Sequence, residues 1–117
     1  MGHRLNGNGN GRIAVNVVRC SGDLNATRMV QMKSRFSRLL NQKHKFLLLD
    51  LRDAYHADLA GLGILVDRIR KVRSLKGDIR LFNLRPEVQE ILRIIGLNQV
   101  IASYSTEEEA RRSFQVA

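Results

Sequence analysis

The chain has 117 residues, 20 Lys and Arg against 11 Asp and Glu, and a formal net charge of +9, so it is sized for one domain and its charge suits an acidic protein, nucleic acid or an anionic membrane surface. Apolar residues make up 44% and charged residues 26%, which excludes a disordered chain. No apolar run approaches the roughly 20 residues of a membrane-spanning helix, and the longest, Phe46 to Leu49, is strand-sized.

In chain order, residues 1–11 contain the run Leu5-Asn6-Gly7-Asn8-Gly9-Asn10-Gly11, which has no apolar periodicity and predicts a flexible tail, with one folded domain over 12–117. The start lacks the apolar segment of a secretory signal, and Asn6 stands where a myristoylation signal wants Ser or Thr, so the expected location is the cytoplasm, with no membrane insertion. Ile13 to Val18 is β-branched and predicts a strand broken by Ser21-Gly22-Asp23; the lone Cys20 next to it is expected to be a buried, reduced thiol. Asn25 is a candidate N-cap, and Met29, Met32, Phe36, Leu39 and Leu40 recur at the spacing of an amphipathic helix that ends near Asn41.

Phe46 to Leu51 is apolar on both faces, the pattern of a central strand covered by helices on either side. After a turn over residues 53–58, Leu62, Leu65, Ile69 and Val72 repeat at helical spacing, with Gly77 expected as a left-handed C-terminal cap. Ile79 to Phe82 predicts another strand, Pro86 the first turn of a helix whose buried face is Val88, Ile91, Leu92 and Ile95, and Thr106-Glu107-Glu108-Glu109 a capping box that opens a last helix to about Phe114. Strands alternating with helices imply an α/β fold with a mixed or mostly parallel sheet of about four to five strands, flanked by about four helices.

The segment His56-Ala57-Asp58-Leu59-Ala60-Gly61-Leu62-Gly63 joins the central strand to the second helix, and ligands of open α/β sheets bind at such strand ends. Asp58 is placed to cap the helix, and Gly61 and Gly63 to let its first turn lie close against the sheet. A tight strand-to-helix junction with no further role is the plain alternative.

Together with Phe46 to Asp50, Gly22-Asp23-Leu24-Asn25-Ala26, Gly77 to Val88 and Ile95-Gly96-Leu97, this segment resembles the STAS domain family of anti-sigma-factor antagonists and their relatives, over about Ile13 to Phe114. The resemblance implies a STAS-like fold, a bacterial, cytoplasmic signal-transduction role in transcription regulation, and docking of an anti-sigma factor, itself often a Ser/Thr kinase, on the junction. The partner-binding residues it implies are Asp58, Leu59, Ala60, Gly61 and Leu62, with Asp23 on a neighbouring loop. In the antagonists the residue after the Asp is a phosphorylated Ser or Thr. Here that position is Leu59 and its neighbour Ala60, and no Ser, Thr or Tyr follows before Ser74, so the usual charge switch is expected to be lost. A constitutive antagonist, a regulatory scaffold, and a cytoplasmic accessory subunit of a lipid-transport ATPase are the roles compatible with that loss. A homodimer is left open.

Arg68, Arg70, Lys71, Arg73 and Lys76 follow in the same helix and its exit, either as a solvated face or as a surface steering an acidic partner. Nucleic acid is not expected, because aromatic residues are only 5% and no nucleic-acid motif accompanies the charge. Gly61-Leu62-Gly63 lacks the third glycine of a dinucleotide fingerprint, His56 and Asp58 are too few to hold a metal, and no acid, base and nucleophile converge in the sequence. No catalytic residue, cofactor or metal is assigned, and the protein is expected not to be an enzyme.

Overall fold

The computed structural model describes residues 13–115, so the segment expected as a tail lies outside the described residues. The elements are β1 (Asn16–Arg19), α1 (Ala26–Asn41), β2 (Phe46–Asp50), α2 (Leu59–Ser74), β3 (Asp78–Phe82), α3 (Pro86–Ile94), a 3-10 turn (Leu97–Gln99), β4 (Ser103–Tyr104) and α4 (Glu107–Gln115). The four strands form one sheet in the order β1-β2-β3-β4, and every pairing is parallel, with Val18 opposite Leu49 and Leu49 opposite Leu81. A sheet that always steps in one direction with right-handed crossovers must carry all its crossover helices on one face. That face holds the main core: Val18, Leu47, Leu49, Ile79 and Leu81 from the strands pack with residues of α1, α2 and α3. The alternate residues Leu48 and Phe82 point the other way, against Ala110 and Phe114 of α4.

The pattern of β2 is thereby explained: strand side chains alternate between faces, both faces are covered, and so both must be apolar. Asn25 caps α1 by accepting from the Arg28 backbone N–H at 2.8 Å, and Thr106 caps α4 by accepting from the Glu109 N–H at 3.1 Å. The Glu109 carboxylate reaches back to accept from the Ser105 N–H, one residue beyond the usual capping-box target, the N-cap Thr106.

Two glycine expectations are corrected. The left-handed residue closing α2 is Lys76, at φ 71°, while Gly77 is needed because a Cβ there would lie 2.0 Å from the Lys45 carbonyl oxygen. Gly61 does allow a close approach, but Gly63 faces open space and contributes nothing to it.

Candidate functional site

Parallel strands bring the loops after β1, β2 and β3 to one end of the sheet. Asp50 ends β2, 2% exposed, and its carboxylate accepts from the Arg52 backbone N–H, the Arg52 guanidinium and the Asn83 side-chain amide. Burial pushes the Asp50 pKa up, but these hydrogen bonds outweigh it and leave the carboxyl below its ordinary value. The loop that follows β2 is pinned from both sides. Asp53 pairs with Arg19 of β1 at 2.8 Å, while the Arg85 guanidinium donates to the Arg52 carbonyl and lies 3.8 Å from the centre of the Tyr55 ring.

Asp23 joins this loop directly. Its Oδ1 accepts the backbone N–H groups of Tyr55 at 2.9 Å and His56 at 3.1 Å, and those two bonds, His56 first, hold its carboxyl below the usual range. The backbone continues the contact: Leu24 donates to the His56 carbonyl, and Asp58 donates to the Leu24 carbonyl, a one-residue parallel bridge between Leu24 and Ala57. Gly61 completes it, since a Cβ there would fall 2.5 Å from the Leu24 carbonyl oxygen.

Asp58 opens α2 as its N-cap, accepting from the Gly61 N–H at 2.7 Å. Leu59, the first residue of the helix, is 71% exposed, although a leucine at that position could equally have turned inward. Ala60 is also exposed, whereas Gly61 and Leu62 are buried, Leu62 at 1%. The structure therefore brings Asp23, Asp58, Leu59, Ala60, Gly61 and Leu62 together around one junction, but only Asp58, Leu59 and Ala60 among the last five are open to solvent. Sequence reasoning missed Asp50, Arg52, Tyr55 and Arg85 as the supports of the loop; the signal for the first pair was a carboxylate closing an apolar strand two residues before an arginine.

The charge is polarised along the sheet. The loops and first helical turns at this end hold seven carboxylates against Arg28, Arg52 and Arg85, as helix N-termini favour. The basic residues of α2 lie in its second half, away from the junction. Among the described residues, no group of three or more His, Cys, Asp or Glu is arranged to hold a metal, and no helix is long and apolar enough to cross a membrane.

An open parallel sheet with three crossover helices on one face and one helix on the other defines an α/β domain, and its braced loop lies at the carboxyl ends of the strands, where ligands of such sheets bind. A family model described as the STAS domain matches residues 8–110, and the chain belongs to that family. It is 30% identical over 80 residues, 68% of this chain and 71% of the relative, to a candidate anti-sigma factor antagonist of Thermotoga neapolitana. It is 22% identical over 101 residues, 86% of each chain, to the anti-sigma F factor antagonist of Paenibacillus polymyxa. The crystal structure of a candidate anti-sigma factor antagonist of Thermotoga maritima has a TM-score of 0.76 at 24% identity, covering 86% of this chain and 88% of that one.

Proposed function

We propose that this chain is a binding module of the anti-sigma-factor-antagonist type, which captures an anti-sigma factor stoichiometrically through the β2–α2 junction and is not switched by phosphorylation there. The observation that carries the reading is Leu59, 71% exposed at the first position of α2, where the family resemblance places a phosphoacceptor hydroxyl. An apolar side chain on the lip of a rigid loop adds contact area on docking and cannot receive a phosphoryl group. Asp58 is engaged in capping and Asp23 in bracing, so they hold the junction's shape, and Leu59 with Ala60 supplies its contact surface. Relatives named as anti-sigma factor antagonists support the choice of partner.

The test begins with affinity capture from a lysate of the source organism, with mass spectrometry of the retained proteins and of the bait. An anti-sigma factor is the expected partner, on a bait without phosphate at the junction. Calorimetry with that purified partner is then expected to show a one-to-one complex that Leu59→Asp weakens at least about tenfold, the loss of a buried leucine plus a desolvated charge. Unchanged affinity in Leu59→Asp would sink the assigned surface, and a phosphorylated junction would sink the loss of the switch.

A further inference from the structure

The end of the sheet opposite the junction has the reverse charge. Because α1, α2 and α3 run back along parallel strands and α4 runs beside them, their last turns and the segments that follow gather at the amino ends of the strands. There, eight Lys and Arg gather, of which Arg73 pairs with Asp78, Arg93 with Glu90 and Arg112 with Glu108, so that with those three carboxylates counted this end is still positive by five. Helix dipoles favour cations at C-termini and account for the sign, but not for two further features.

The first is apolar exposure. Leu75, Ile94, Ile95 and Val100, four of the large apolar side chains open to solvent, with Ile94 at 65% and Val100 at 52%, belong to this end; Ile95, expected on the buried face of α3, is instead its exposed C-cap. The surface is continuous: Arg73 donates to the Val100 carbonyl at 2.8 Å, Asp78 donates to the Lys45 carbonyl, and Leu40, Lys43, Lys45 and Leu75 line one shallow cavity of about 360 Å³. The second is backbone strain. Both α1 and α2 close with the paired hydrogen bonds of a Schellman turn, His44 to Leu39 with Lys43 to Leu40, and Gly77 to Val72 with Lys76 to Arg73. The left-handed residue is a lysine in each, Lys43 at φ 67° and Lys76 at φ 71°, where glycine is the low-cost choice. The close of α3 uses Gly96 at φ 80°. A lysine at the position that disfavours it in both helices points to use of its charge.

We infer that this end of the domain docks on an anionic lipid surface, with Leu75, Ile95 and Val100 entering the headgroup region and Lys45, Lys71 and Lys76 meeting lipid phosphates. The charge is complementary, and the lysines Lys45, Lys71 and Lys76 beside aliphatic side chains fit a bilayer surface: lysine is depleted at protein interfaces, whereas basic residues next to leucine are what membrane-surface elements carry. Docked this way, Leu59 faces away from the membrane. The inference stands independently of which protein, if any, the junction binds.

The test is co-sedimentation of the full chain with vesicles of phosphatidylcholine containing about one-third phosphatidylglycerol, against vesicles of phosphatidylcholine alone. Binding to the anionic vesicles and not to the neutral ones is expected. Lys71→Glu with Lys76→Glu should lower the partition coefficient at least about tenfold, and Leu75→Ser with Val100→Ser should lower it as well. The control is Lys33→Glu with Arg35→Glu, an equal change in net charge at mid-helix exposed positions of α1, which should leave binding unchanged. Lys76→Gly separates use from structure, because it should raise the melting temperature by about 4 °C through relief of the left-handed lysine while weakening vesicle binding about fivefold. Absence of vesicle binding, an equal loss in the α1 control, or binding of a polyglutamate peptide without binding of vesicles would overturn the inference.

Discussion

Replacing Gly61 and Gly63 separately by alanine tests the close approach that builds the junction. The two glycines lie two residues apart in the same helix, so intrinsic propensity treats them alike: Ala for Gly inside an exposed helix gains about 0.8–1 kcal/mol. Gly63 should show that gain, since a Cβ there meets nothing within 4 Å. At Gly61 the Cβ would lie 2.5 Å from the Leu24 carbonyl oxygen and 2.6 Å from Asn25 Cα. Both neighbours are backbone, so relief requires α2 and the β1–α1 loop to separate by most of an ångström. Such overpacking costs about 1–3 kcal/mol, and the Asp58-to-Leu24 hydrogen bond of 3.1 Å, worth about 1 kcal/mol, lengthens with it. The net expectation is a loss of about 1–2 kcal/mol for Gly61→Ala and a gain of about 0.8–1 kcal/mol for Gly63→Ala. Urea unfolding of the two variants and the parent measures this, and the melting temperatures should differ by about 10 °C between variants. A Gly61→Ala protein as stable as Gly63→Ala would refute the argument that backbone proximity, not helix propensity, governs the start of α2.

Three other outcomes follow from the same geometry. Asp23, Asp50 and Asp53 all have carboxyl pKa values held below the ordinary range, so the stability they contribute is complete above the unfolded value of about 3.9 and is lost as pH falls through the lower native values; stability should therefore be level from neutrality to about pH 5 and fall below it, with a shallower fall in Asp50→Asn, and a stability that rises on acidification would contradict this. Cys20 is fully buried and burial raises its thiol pKa to about 11, so a disulfide reagent at pH 8 should label the native protein far more slowly than the urea-unfolded chain, and equal rates would show the thiol to be accessible. Phe114 packs edge-on to Phe46 at 5.6 Å and beneath the Arg80 guanidinium at 4.1 Å; Phe114→Ala should cost about 3 kcal/mol in urea unfolding, and a loss under about 1 kcal/mol would mean that α4 is not what covers that face.

Much of the fold was legible because it depends on periodicity. The doubly apolar run of β2, the Met29-Met32-Phe36 stripe of α1 and the caps Asn25 and Asp58 each report a local rule, and each element lies within a few residues of its expected place. Apart from the Asp50–Arg52 pair, two residues apart, the supports of the junction were not legible, because they join residues more than thirty positions apart: Arg19 with Asp53, Asp23 with Tyr55 and His56, Asn83 with Asp50. Gly61 and Gly63 look alike in sequence for the same reason, as the atoms that distinguish them belong to Leu24 and Asn25. At Gly77 the rule that glycine takes the left-handed position competed with a tertiary contact to Lys45, and the tertiary contact decided where the glycine stands.

On the proposed reading, Leu59 at the position where the family resemblance implies a phosphoacceptor hydroxyl changes what kind of control the binding surface permits. A phosphoryl group adds nearly two negative charges, here at an end of the molecule where carboxylates already outnumber arginines, so on the proposed reading phosphorylation would work through repulsion of a similarly charged partner or through misfit on docking. A leucine in that place would substitute for the charge-sensitive element one that contributes by burial alone. Burying most of an exposed leucine is worth about 1.5–2 kcal/mol, more than tenfold in affinity, and that increment is present in every molecule at all times. Control then has to come from mass action, through the concentrations of the domain and its partner, or from where the domain is held. A basic, apolar far end that holds the domain on a lipid surface with Leu59 pointing outward would supply the second: confinement raises the local concentration of a constitutive binder without altering any contact at the junction.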